Sequence, residues 1–172
     1  MAVLEVLQYP DERLRKIAEP VTDFGPETQK IIDDMFETLY HTENCGGYAA
    51  TQMNIQKRIV VLDASPEKDK PLCLINPEIV DQKGEIFEME ACLSVPGDVF
   101  MPIKRAKWVR CKAYDRHGKE FFLEEEGTWL ARAFQHEIDH LNGVLFIDYL
   151  SPLKRRRVDR KLEKLRKSSI VK

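Results

Sequence analysis

The stretch from Ala131 to Gly143, ARAFQHEIDHLNG, constrains this chain more than any other. Its histidines are four residues apart, so on a helix His136 and His140 share one face, with Glu137 directly after the first. With successive residues turning by about 100°, Leu130, Phe134, Ile138 and Leu141 gather on another side. One helix thus has a core face and a face fit to hold a metal ion, which favours ligation over two stray histidines. Thr128 suits the N-cap and Gly143 the C-terminal stop.

Two histidines do not complete such a site. Catalytic sites of the zinc type have three protein ligands and leave one position for water. His41 and His117 sit beside apparent loops, and the acids are too many to choose among. Cys92, in EMEACLSVPG, is the better candidate, since it ends a strand-like run before a Pro-Gly break. Cys73 and Cys111 lie in strand-like apolar surroundings and read as packing residues.

Elsewhere the patterns are those of one domain. FGPETQKIIDDMFETLYHTE places Ile31, Ile32, Met35, Phe36 and Leu39 at helical spacing after a proline suited to a first turn. KRIVVLDAS, PLCLINPEIV, AKWVRCKAYD and KEFFLEEEG read as strands, and VLFIDYL as a strand or extended return. Ser151 and Pro152 open a last helix, along which Leu153, Val158, Leu162 and Leu165 form an apolar stripe. The expected fold is α+β, a single domain of antiparallel or mixed sheets around a central metal-binding helix. Residues 1–150 form the catalytic body and 151–172 a basic C-terminal helix of the same domain.

At 172 residues, 43% hydrophobic and 33% charged, the chain suits a soluble globular protein with one sizeable core. No apolar run approaches the roughly 18 residues needed to cross a membrane, and the start carries no secretory pattern. Four irregularly spaced cysteines then read as thiols, which points to the cytoplasm. Charge is uneven: from Ser151 onward there are ten Lys and Arg against Asp159 and Glu163. Such a helix is either a solvated face or a contact for an anionic partner.

EACLSVPG and QHEIDHLNG together resemble the paired E-G-C-L-S and H-E-x-D-H motifs of the peptide deformylases. CGGYAATQ, Cys45 to Gln52, is similar to a third deformylase motif, G-x-G-L-A-A-x-Q, and LQYPDERLRKIAEPV and LINPEIV extend the likeness to about Leu153. The resemblance implies Cys92, His136 and His140 as ligands of one divalent metal ion, Fe(II) in the cell with zinc, nickel or cobalt as replacements. It also implies Glu137 as general base and acid, and the Gln52 amide and Leu93 N–H as oxyanion donors. The implied reaction is hydrolysis of the formyl group from N-formyl-methionyl nascent peptides, releasing formate. The peptide would lie extended along Gly46, Gly47 and Tyr48, with Glu90, Ala91 and Arg132 as further substrate-binding positions. Ribosome contact through the basic helix and a monomeric state complete the expectation.

The chain departs from the family pattern at the cleft. Cys45, Gly46 and Tyr48 replace a glycine, an aliphatic residue and a leucine, and Ala91 replaces the glycine of E-G-C-L-S. Arg132, one turn before His136, stands where a deformylase typically has an apolar residue. Asp139 falls about 60° from His136 and suits a structural pairing with an arginine such as Arg105. Two rival readings follow: a metalloprotease or amidase acting on another acyl or peptide bond, and a degenerate protein that only binds ribosomes or formyl peptides. Cleavage of unformylated peptide marks the first; the acid–base group Glu137 argues against the second.

Overall fold

β2 (Ile59–Leu62) reads Ile-Val-Val-Leu and is buried at all four positions. Such a run needs cover on both faces. Ile59 and Val61 pack with Ile32, Met35 and Leu39 of α1 (Pro26–His41), while Val60 and Leu62 pack with Ala131, Phe134 and Leu141 of α2 (Trp129–Leu141). The histidine-bearing helix therefore lies against one face of a sheet whose other face carries α1. This is the computed structural model of the chain, describing residues 2–171.

The sheet joins β2 to β1 (Gly47–Ala49), β3 (Leu72–Lys83), β6 (Trp108–Tyr114) and β7 (Glu120–Glu126), in the order β1-β2-β3-β6-β7. Every pairing is antiparallel, and β1 is an edge with one side unpaired. β4 (Ile86–Glu90) and β5 (Met101–Arg105) form a separate antiparallel ribbon. Pro102 is tolerated there because a two-stranded ribbon has free edges.

The ends of α2 follow its sequence. Thr128 Oγ1 accepts from Ala131 N at 3.2 Å. Gly143 has φ +75, and a Cβ at that position would meet the Arg15 carbonyl oxygen at 2.4 Å. Only glycine satisfies both the left-handed turn and the close backbone.

VLFIDYL differs from expectation: Phe146–Tyr149 is a 3-10 helix, not a strand. Leu145, Phe146 and Ile147 are all buried in one cluster, whereas a strand would turn alternate residues away. Asp148 Oδ2 also accepts from Leu145 N at 3.0 Å and closes the turn. The cluster receives Val158 and Leu162 of α3 (Pro152–Val171), but Leu153 and Leu165 are 55% and 43% exposed. The apolar stripe of that helix is thus buried at two of its four positions.

Polar contacts fasten α3 as well. Asp148 accepts from Arg15 Nη1 at 2.6 Å and from Arg155 Nη1 at 2.9 Å, joining the N-terminal segment to α3. Burial pushes the Asp148 pKa up, but the Arg15 hydrogen bond and the Leu145 amide outweigh it, and the net shift is downward. A lowered acid stabilises the fold above its unfolded value, about 4, and loses that contribution as pH falls through the folded value. Asp148→Asn is therefore expected to cost about 1–2 kcal/mol at pH 7. Denaturant titrations should show the gap to wild type closing below about pH 4; a gap that persists at low pH would assign the loss to packing.

Candidate metal centre and cleft

α2 brings His136 and His140 side by side, with ring centroids 5.0 Å apart. Cys92 follows β4, in a turn closed by Val95 N donating to Cys92 O at 2.9 Å. The candidate ligand atoms of Cys92, His136 and His140 all lie within 4.8 Å of one another. His41 and His117 are exposed and stand outside this group.

Each histidine is held by its surroundings. His136 Nδ1 lies 2.9 Å from Glu90 Oε1, which leaves Nε2 for a ligand role. His140 Nε2 is 3.3 Å from Cys92 Sγ, and the Thr51 hydroxyl donates to the His140 carbonyl at 2.9 Å. Burial disfavours charge on His136, yet Cys92 and Glu90 outweigh it and raise its pKa well above the ordinary value. Burial, with His136 and Arg105 nearby, lowers that of His140. Electron-rich sulfur and carboxylate thus converge on one buried and one half-buried imidazole, a donor set that fits one metal ion.

Glu137 points into the same place. It is buried, and its Oε2 has no hydrogen-bond partner among the described residues. Burial raises its pKa to about 7, with His136 pulling the other way. Gln52 is 2% exposed and fixed at both ends: Oε1 accepts from Ala49 N at 2.9 Å, and Nε2 donates to Ser94 Oγ at 3.0 Å with Cys92 Sγ at 3.5 Å. The Leu93 N–H makes no hydrogen bond among the described residues.

These groups line a cleft of about 840 Å³. Gly46, Gly47 and Tyr48 line it from the β1 side, Ala91 and Leu93 from the turn after β4, and Arg132 from α2. Ala91 is not among the residues with positive φ, so it sits there without strain. Tyr48 is buried, with its hydroxyl donating to Thr42 Oγ1 at 3.1 Å. Cys45 also lines the cleft; burial pushes its thiol up to about 11, which makes it a poor nucleophile. Cys73 and Cys111 pack into the two cores that flank the sheet.

Glu90 has a different place from the one expected. Both of its oxygens are occupied, by Arg105 Nε at 2.9 Å and Nη2 at 2.8 Å and by His136, so its carboxylate faces a candidate ligand and is not free for a peptide. Arg105 also reaches Asp139 at 2.6 Å, the pairing expected from the sequence. Ser94 and Trp129 were not singled out in the sequence. Ser94 gives no signal in one dimension. Trp129 does, since a glycine in an aliphatic position asks what bulky residue fills its space.

A buried glutamate beside a candidate Cys-His-His ligand set, in a cleft bordered by a sheet edge, fits a hydrolase that works with a metal ion. Residues 3–156 match the family described as Polypeptide deformylase. A peptide deformylase of Tolumonas auensis is 54% identical over 166 residues, 96% of this chain and 97% of that protein. A crystal structure of a peptide deformylase from Legionella pneumophila superimposes with TM-score 0.92 at 46% identity, covering 99% of each chain. Another, from Ehrlichia chaffeensis in complex with actinonin, gives TM-score 0.88 at 40% identity over 95% of this chain and 98% of that one. The chain belongs to the polypeptide deformylase family: it is a hydrolase that removes the N-formyl group from nascent peptides. The Cys92, His136 and His140 group suggests a single metal ion. Among the described residues no helix is long and apolar enough to cross a membrane.

Proposed function

We propose that Glu137 is the general base and acid of the deformylation, acting beside one metal ion held by Cys92, His136 and His140. The observation that carries this reading is the buried, unpartnered oxygen of Glu137 in the cleft that Cys92 and His136 also line. When bound, the metal supplies Lewis acidity that makes water a nucleophile near neutral pH. Glu137 accepts the proton of the attacking water and returns it to the departing amine. The Leu93 N–H and the Gln52 amide, exchanging its long contact to Cys92 Sγ, donate to the oxyanion that the formyl oxygen becomes; neither changes its protonation state. The open edge of β1 receives the peptide backbone near Gly47. Fe(II) is the metal in the cell, with zinc, nickel and cobalt as replacements, and the protein works as a cytoplasmic monomer.

The test is formate and free-amine release from a formyl-Met-Ala-Ser peptide by protein prepared without oxygen and loaded with Fe(II) or Co(II). Turnover of that peptide but not of its unformylated form supports the reading. Cleavage of the unformylated peptide would favour a protease.

The same reading includes ribosome contact through α3, supported by its exposed Arg156, Arg157, Arg160, Lys161, Lys164 and Lys167. Each RNA phosphate neutralised adds about 0.7–0.9 to the slope of log affinity against log salt. Replacing Arg156, Arg160 and Lys164 with glutamine should weaken co-sedimentation with ribosomes and lower that slope by about 2. Tripeptide turnover should stay as in wild type. Salt-insensitive, undiminished co-sedimentation would remove α3 from the contact.

A further inference from the structure

We infer that Arg132 selects among formylated chains by the residue that follows the methionine, favouring aspartate or glutamate there. This rests on the deformylase reading and adds a substrate preference to it. Arg132 is half-buried in the cleft wall and makes no hydrogen bond or ion pair among the described residues; its Nε is buried without a partner. Arg110 and Arg155 also have an Nε without a hydrogen bond, but every other half-buried arginine has a partner for its head: Arg58 two carbonyls and Asn142, Arg116 Gln29 and Asp33, Arg155 Asp148, and Arg110 Glu124 at 3.5 Å. A buried donor left unmatched costs stability unless a ligand supplies the acceptor. Among the described residues lining the cleft, Arg132 is the one lysine or arginine.

Its neighbours leave that charge free. Trp129, three residues earlier on the same helix face, lies over Gly46: a Cβ there would meet Trp129 Cη2 at 2.5 Å. The indole thus fills the space of an aliphatic side chain at position 46 and supplies the apolar wall. Of the carboxylates around the cleft, Glu90 is bound by Arg105, Asp63 accepts from Ser65, Tyr40 and the Lys70 amide, and Glu137, whose Oε2 has no partner, makes no ion pair with Arg132. Glu43 and Asp98 are exposed on the rim and screened by water.

The position decides what the guanidinium can read. Arg132 precedes His136 by four residues, a rise of about 6 Å along the helix. An extended peptide advances about 3.3 Å per residue, so a group this far from the ligand atoms meets the first or second residue of the substrate. The first residue of a nascent chain is always methionine. A cation can therefore discriminate only at the second, and a carboxylate there gives it a charge-assisted, two-pronged partner.

The experiment compares kcat/KM for formyl-Met-Asp-Ala, formyl-Met-Asn-Ala and formyl-Met-Lys-Ala, all amidated at the C-terminus so that no other carboxylate is present. Wild type, Arg132→Gln and Arg132→Lys are each loaded with Co(II). The aspartyl peptide is expected to lead the asparaginyl one by about tenfold in wild type, the size of one charge-assisted hydrogen bond. Arg132→Gln should bring the ratio below twofold, while Arg132→Lys keeps part of it. A wild-type ratio near one, or an acidic preference that survives in Arg132→Gln, would overturn the selection. Turnover of none of the three by metal-loaded wild type would overturn the deformylase reading, and the selection with it.

Discussion

Glu137→Gln is expected to lower kcat on a formyl peptide by about 10²–10⁴-fold while metal content per chain stays at the wild-type value. The two effects separate because Glu137 is assigned the proton and not the ion. Glutamine keeps the volume and one oxygen of the buried side chain, so α2 and its apolar face remain packed. It cannot accept the proton of the attacking water or return it to the amine. Glu137→Asp makes a sharper comparison: it keeps the carboxyl group but withdraws it by one methylene. A displacement near 1 Å can cost about 10²-fold where reacting groups must align. Both variants should bind metal as wild type does, measured by emission spectrometry after gel filtration. A Glu137→Gln enzyme with kcat within threefold of wild type would remove Glu137 from the reaction, leaving its buried oxygen unexplained.

The same residue shows how much of this site could be read in one dimension. His136, Glu137 and His140 were legible because helical periodicity separates them from Phe134 and Leu141, and both faces are where that pattern puts them. Cys92 was legible through its motif, although the turn that presents it depends on a contact with Val95. β1 is only three residues long, too short to carry a pattern, yet its free edge borders the cleft. β5 was hidden by Pro102, a residue that argues against a strand until the ribbon is seen to be two-stranded. Leu145, Phe146 and Ile147 have the composition of a strand; only their common burial reveals a tight turn. Glu90 was placed at the site for the wrong reason, because its partners Arg105 and His136 are 15 and 46 residues away. Gly46 and Trp129 are likewise one feature in space and two unconnected departures in sequence.

Arg105→Met should produce a large loss of stability, together with weaker metal binding. Arg105 and Glu90 are 4% and 6% exposed at their side chains, and Asp139, at 21%, shares the same guanidinium. Burial raises the Glu90 carboxyl, but hydrogen bonds from Arg105 and His136 reverse this and hold it at about 2. Removing the guanidinium leaves Glu90 ionised, buried and without its cation, which costs about 3–5 kcal/mol. At about 2–4 °C per kcal/mol for a chain of this size, the melting temperature should fall by roughly 6–20 °C. Glu90 then loses the fork that aims it at His136, and metal affinity should drop about 10–100-fold in competition with a chelator. Arg105→Lys keeps the charge without the fork and should lie between the two. The double variant Arg105→Met with Glu90→Leu distinguishes the two losses. With no stranded carboxylate at position 90, much of the stability should return, while metal affinity stays low because His136 Nδ1 now has no acceptor at all. If affinity recovered along with stability, Glu90 would be a packing residue and the orientation of His136 would have to come from the helix alone.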